Sequence, residues 1–149
     1  MSASRGWCSF RIAGTLFGVP VENVVGIVRR TEVTPVPGAG SALTGLMHLR
    51  GRVVPVVDLR AVLGGAPIDR DATHVHVIVR DGDDEVSLIA DRIGDFVSRQ
   101  GAELDPTPET LGTPYTDLVT HVVRMPDDLL LALDTALVLN HAFPETARH

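Results

Sequence analysis

LMHLRGRVVPVVDLRAVLG, residues 46–64, compresses a strand, a basic turn at Arg50-Gly51-Arg52, a wholly apolar strand and a capped helical turn into nineteen residues. Val53, Val54, Val56 and Val57 surround Pro55 with no polar residue among them. A strand without alternation is buried on both faces or closes a small barrel. Pro55 has no N–H to give to a ladder, so its place is an edge or a bulge. Asp58 offers a carboxylate to the free N–H groups of Leu59 to Leu63, and Gly64-Gly65 stops that turn. The stretch reads as architecture, and its basic turn as the part with something to touch.

Upstream, residues 7–13 (WCSFRIA) and 16–21 pair as a hairpin across Gly14-Thr15, and residues 24–30 give a further apolar strand. Residues 31–42 (TEVTPVPGAGSA) are a Pro/Gly/Ser loop, and residues 43–49 and 52–57 form the hairpin quoted above. Five short strands in the first half suit a small closed barrel. Downstream, residues 74–80 alternate, with Val75, Val77 and Val79 on one face. Asp81-Gly82-Asp83-Asp84 turns the chain, residues 85–90 return, and residues 93–99 make a third strand. The polar stretch 100–116, with Pro106, Pro108 and Pro114, reads as a loop. Residues 118–124 and 129–133 are a last hairpin, after which Asp134 caps a helix through residue 140.

The second half echoes the first. VENVVGIVRR (21–30) aligns with ADRIGDFVSR (90–99), and VVPVVDLRAVLG (53–64) aligns with LLLALDTALVLN (129–140). Asp58 and Asp134 fall in the same capping place. The offset grows from 69 residues (21 to 90) to 76 (53 to 129), so the second half carries longer loops. Repetition of a supersecondary pattern is an architectural signal. The expectation is an all-β fold, a single domain of two five-stranded barrels sharing a core, with repeat halves at about 8–64 and 74–140. Whether the barrels are sequential or interleaved is not legible, since terminal strands can cross over.

The chain has 149 residues, long enough to bury a core by itself. Aromatics are only 4%, so Val, Leu, Ile and Ala fill that core, which favours strands. Lys and Arg total 13 against 19 Asp and Glu, for a net charge of −6, and no basic run occurs. Nucleic acid and anionic membrane surfaces are therefore not expected as partners. The single Cys8 makes no internal disulfide, in keeping with a reducing cytosol. No apolar run reaches 18 residues and no leader pattern opens the chain, so neither membrane insertion nor export is expected.

Chemistry is scarce. His74 and His76, two apart on a strand, point to one face at a spacing that suits zinc or copper, with His121 the only further candidate ligand, to be brought in by the fold. The plainer reading is a half-exposed strand face beside Arg80. DGDDE (81–85) lacks the glycine and terminal glutamate of a calcium loop, and GAGSALTG (38–45) lacks a Gly-Lys-Ser/Thr. No GxSxG occurs and no acid pair sits where burial would tune it for catalysis. What remains is surface for protein partners: a groove between barrels, and Arg29, Arg30, Arg50 and Arg52 at strand ends, where a guanidinium fork pairs carboxylates and its stem packs. The alternative for each arginine is to solubilise a strand end.

HLRGRVVPVVDLR (48–60) resembles the hallmark Asn-Leu-Arg-Gly…Pro-Val/Ile-Val/Ile-Asp-Leu-Arg segment of CheW, the family of bacterial chemotaxis coupling proteins. FGVPVENVVGIV (17–28), SLIADRIGDFV (87–97) and LLLALDTALVL (129–139) are similar to its other signatures, in order, so the resemblance runs from about Phe10 to Leu139. It implies two SH3-like barrels, no enzymatic activity, no cofactor, and a cytoplasmic adaptor joining chemoreceptor tips to the regulatory domain of a CheA-type histidine kinase. A receptor tip is a helical hairpin, so the expected mode is a helix in an apolar groove between barrels with charged pairs at its edge. Arg50 matches the family arginine tied to receptor and kinase coupling, with Val24, Ile27 and Leu49 at nearby aliphatic positions and Gly51 completing the turn. Two departures stand out. Gly26 occupies a position where the family commonly has a glutamate able to pair with that arginine, and His48 replaces the usual asparagine. Arg50 is left free to seek a partner's carboxylate, which points to a non-standard array, for instance one governing surface motility. Residues 48–51 have no counterpart in the second half and are the place to look for function. The rival from another class is a small ligand- or metal-binding β module using His74 and His76.

Overall fold

A computed structural model describes residues 4–29, 31–38, 42–66 and 74–143. Its strands are β1 (Gly6–Ile12), β2 (Thr15–Pro20), β3 (Val24–Val28), β4 (Leu43–Leu49), β5 (Arg52–Asp58), β6 (Val75–Asp81), β7 (Asp84–Ala90), β8 (Arg92–Ser98), β9 (Glu103–Pro106), β10 (Val119–Arg124) and β11 (Leu129–Leu133). Helices are short: α1 (Leu59–Val62), α2 (Tyr115–Leu118) and α3 (Thr135–Ala142). The strands form a six-stranded sheet, β8-β1-β2-β11-β10-β9, and a five-stranded sheet, β3-β6-β7-β5-β4. The fold is all-β, and one sheet has a strand more than expected.

The sheets are interleaved. β3 follows β2 in the chain yet pairs with β6 (Ile27↔Val77), and β8 follows β7 yet pairs with β1 (Trp7↔Val97). β5 runs parallel to β7 (Val57↔Leu88) and β11 parallel to β2 (Leu131↔Phe17). Each sheet therefore joins a hairpin from one repeat to later strands of the other. The five-stranded sheet is continuous in sequence and is inserted between the two parts of the six-stranded one.

Each sheet wraps its own interior. All five strands of the smaller sheet send side chains to one cluster: Val28, Met47, Leu49, Val54, Val56, Ile78 and Ile89. All six of the larger do the same through Trp7, Leu16, Val97, Leu104, Val123 and Leu130. Between them lies a third cluster, where Phe10, Phe17, Val77, Val79 and Leu88 meet Leu59 and Val62 of α1 and Val138 and Leu139 of α3. Phe10 and Phe17 stack there with ring centroids 6.3 Å apart. The two helices are thus the plugs of the shared core, and both are capped as their sequences require. The Asp58 carboxylate accepts from the Arg60 N–H, and that of Asp134 from the Leu137 N–H, each at 3.0 Å.

Three readings of the sequence change. Val53 is 66% exposed, although its strand lacks alternation, because β5 gains its second neighbour β7 only from Val56 onward. Pro55, opposite Leu46, sits before that second ladder begins, where its missing N–H costs no pairing. The alternation of β6 does not mean a wet face: His76 is 4% exposed and Ile78 fully buried, since one face meets the shared core and the other the interior of its own barrel. Finally, β9 and α2 arise inside the stretch 100–116, read as loop. β9 is four residues long and ends on proline, too short for a periodic signal, yet Leu104 packs inward while Asp105 pairs outward with Arg124 at 2.6 Å.

Asp134→Ala is expected to lower stability by about 1 kcal/mol. The melting temperature should fall by about 2–4 °C; an unchanged thermal melt would mean that α3 does not depend on its cap.

Candidate functional site

The β4–β5 hairpin closes with two residues, Arg50 and Gly51, which lie between the paired Leu49 and Arg52. Both have positive φ, 52° and 80°, the sign that a type I′ turn demands and that matches the twist of the strands. Glycine adopts this freely, but an L-residue in the left-handed region costs roughly 1 kcal/mol or more. Asparagine or glycine would be the structural choice for the first position. The β1–β2 turn has the same form, with Ala13 and Gly14 at φ 52° and 84°, so the conformation belongs to this fold's two-residue hairpins and what sets the β4–β5 turn apart is the guanidinium it carries.

The turn forms one lip of a cleft of about 220 Å³. Val25, Gly26 and Ile27 of β3 form the other lip, with Leu49, Arg50 and Arg52 facing them and Arg80 and Glu85 at the floor. Val25 and Ile27 are exposed apolar side chains. Glu85, only 10% exposed at its side chain, is clamped by Arg52 at 2.5 Å and Arg80 at 2.7 Å. The hydrogen bonds from Arg80 and Arg52 hold its carboxyl below the usual carboxylate range. One carboxylate thus answers two of the three arginines around the cleft. Arg50 has no hydrogen-bond or ion-pair partner among the described residues, so a basic spot stands on a chain of net charge −6. A β-carbon at Gly26 would meet nothing within 4 Å, so glycine leaves open space at that lip.

Of the residues singled out in the sequence, Gly26, Ile27, Leu49 and Arg50 come together here, with Gly51 in the turn itself. His48 is exposed on the opposite face of β4, across from Val53. Val24 packs against the shared core rather than in the cleft. Arg29 is exposed just past β3, and Arg30 lies outside the described residues. Val25 and the Arg52–Glu85–Arg80 clamp were not anticipated, because nothing in the sequence says that β7 reaches the turn.

A second concavity, about 920 Å³, opens beside the crossover from β2 to β3. Phe96, 55% exposed, lies in it with Val21, and Arg5 and Arg99 stand among its walls. The internal alignment already points here: Phe96 falls at the position of Ile27 in the other repeat.

His76 is a core group. Its Nδ1 lies 2.9 Å from the Ser87 hydroxyl on the neighbouring strand. His121 belongs to the other sheet, and no group of three or more His, Cys, Asp or Glu is placed to hold a metal among the described residues. Burial, and then the nearby His74, push the His76 imidazole below its ordinary value. The unfolded chain therefore binds the proton more readily, and stability is lost as pH falls from the ordinary histidine value, about 6.5, toward the lowered one. Wild-type protein should melt lower at pH 5.5 than at pH 7.5, and His76→Gln should flatten part of that difference. An identical pH slope in the variant would remove His76 as its source.

The family model for the CheW-like domain matches residues 7–143. A probable chemotaxis protein CheW of Rhizobium etli is 34% identical over 105 residues, which cover 70% of this chain and 68% of that protein. The chemotaxis protein CheW of Bacillus subtilis is 28% identical over 139 residues, covering 93% and 88%. Among solved structures, the scaffolding protein TtCheW of Thermoanaerobacter tengcongensis superposes with a TM-score of 0.73 over 88% of this chain and 89% of its own, at 21% identity.

Proposed function

The chain belongs to the CheW-like domain family, a family of chemotaxis adaptors, and from that membership we propose that it couples chemoreceptor tips to a CheA-type histidine kinase without catalysing a reaction itself. The observation that carries this reading is the Arg50 cleft. A cation with no partner among the described residues, held at a strained turn between exposed aliphatic side chains, is built to meet a carboxylate set in an apolar patch of another protein. The kinase regulatory domain is the proposed occupant, through Arg50, Leu49, Gly51, Gly26 and Ile27, with His48 at the margin and Val24 supporting β3 from behind. The receptor tip, a helical hairpin, is assigned to the groove beside Phe96. An apolar helix stripe is proposed to cover Phe96 and Val21 there, with helix carboxylates meeting Arg99, while Arg5 faces Glu22 at 3.6 Å.

Gly26 sharpens the first assignment. The family resemblance implies a glutamate at this position; this chain has open space there, and the acid that answers Arg50 is proposed to come from the partner. That supports a partner set distinct from one in which the pair is made within the adaptor. No helix among the described residues is long and apolar enough to cross a membrane. The proposed location is the cytoplasm, at receptor arrays, reached through protein partners rather than by insertion. Among the described residues the metal-binding alternative has His74 and His76 to offer, short of the three or four ligands that a site requires.

Arg50→Glu should weaken binding to a CheA-type regulatory domain by about tenfold or more, the scale on which truncating a central interface arginine acts. Its melting temperature should stay within about 2 °C of wild type, because exposed charges contribute little to stability. Unchanged affinity in a titration would sink the assignment; a large drop in melting temperature would instead make Arg50 structural. Gly26→Glu should fold normally and weaken the same complex, as its carboxylate competes for Arg50. Tighter binding by that variant would show that the partner does not supply the acid.

A further inference from the structure

The groove beside Phe96 has one wall that is not part of either sheet. Ser4 and Arg5 precede β1 and line it, facing Phe96 and Arg99. One end of this short strap is tied to β8, since the Arg99 N–H donates to the Arg5 carbonyl at 2.9 Å. The other tie is Glu22, in the turn that carries the chain from β2 to β3. Its Oε1 takes the Ser4 hydroxyl at 2.6 Å and its Oε2 takes the Arg5 N–H at 2.9 Å. These bonds, Ser4 first, lower its carboxyl to about 2, so Glu22 accepts them as a carboxylate throughout the neutral range.

The strap also seats the groove's aromatic anchor. Next in the chain is Gly6, where a β-carbon would stand 2.7 Å from Phe96 Cζ. The ring therefore lies on bare backbone, and its half-exposed face is presented in a fixed pose only while the strap keeps its course. The internal repeat gives an independent sign that this position is for fastening. Glu22 aligns with Asp91, which stands at the other crossover and takes the Ala13 N–H at 2.8 Å and the Arg60 guanidinium at 2.6 Å. Asp91 ties two elements of the fold together. Glu22 ties down Ser4 and Arg5, which precede β1 and line the groove.

We propose that Glu22 is the positioning residue of the docking groove: by clasping Ser4 and Arg5 it builds one wall and fixes Phe96 before a partner helix arrives. The inference rests on the assignment of this groove to a receptor helix. A pre-formed wall spares the partner the ordering of two residues and one ring, and losing that order weakens binding without removing a contact.

The test titrates a soluble fragment of a chemoreceptor cytoplasmic hairpin tip against the full chain. Glu22→Ala should bind it about three- to tenfold more weakly, in line with the ordering cost of a few side chains. Its melting temperature and its affinity for a CheA-type regulatory domain should match wild type, and amide exchange at Arg5 should speed up. Glu22→Gln, which keeps an acceptor oxygen, should recover most of the affinity. If Glu22→Ala binds the tip as wild type does while Phe96→Ser loses binding, the positioning role is overturned and the groove assignment stands. If Phe96→Ser binds as wild type does, the groove assignment itself falls and this inference goes with it.

Discussion

Neither repeat closes a barrel with its own strands, and the rest of the molecule follows from that exchange. β3 leaves its repeat to pair with β6, β8 leaves its own to pair with β1, and the parallel pairs β5–β7 and β11–β2 complete the trade. A strand that lies between its own barrel's interior and the shared core is covered on both faces, which is why β6 is buried from Val75 to Val79. It also leaves the two capped helices a single destination, the seam between the sheets. Pairings this distant in sequence are entropically slow to form, and they bind the two barrels into one cooperative unit. The acids at the two crossovers, Glu22 and Asp91, sit where the exchange is made.

Much of this was legible because the repeat is written in residues that do local work. The capping aspartates, the apolar runs before them and the Gly-containing turns specify elements without knowledge of the whole, and nearly every strand lies within a residue or two of its expected span. What was not legible depended on partners far away in sequence. β9 exists because β10 offers it an edge and Arg124 a charge, and its own four residues say nothing periodic. The burial of His76 is set by the barrel interior and by Ser87, neither of which its alternating strand reveals. Val53 and Leu129, equivalent in the repeat and both exposed, look like core in sequence and are not.

The candidate site divides the same way. Arg50 stood out locally, as a basic residue in a turn, and resemblance to a known family strengthened it. Across the cleft, Gly26 and Ile27 were reached only through that resemblance and Val25 not at all, since β3 and the β4–β5 turn are far apart in the chain and are joined by the closure of the barrel. Val24 shows the limit of reading a strand by position alone. It lies two residues from Gly26, but a bulge between them intervenes, and its side chain goes to the shared core.

The two sheets depart from symmetry at the edge where the Arg50 site is proposed. On the six-stranded sheet, β9 lies along β10 over four residues, and its Asp105 and Glu103 meet Arg124 at the end of that strand. On the five-stranded sheet, among the described residues, the corresponding edge of β4 carries a single bridge, from Thr34 to Leu46, with bonds of 2.7 and 2.8 Å. Hairpin register makes His48 the counterpart of Arg124, each standing opposite an exposed aliphatic, Val53 or Leu129. Where the larger sheet neutralises its strand end with two acids of its own, the smaller one ends in an exposed histidine and an arginine without a partner among the described residues. An exposed pair contributes little to stability, so the fold is indifferent to the difference. Recognition is not indifferent, because a cation beside aliphatic side chains has its strongest pairing with a carboxylate that arrives together with its own apolar surround. Among the described residues, the extra strand on one sheet and its absence on the other thus turn two equivalent hairpins into one finished edge and one open edge, the one to which a partner is proposed to bind.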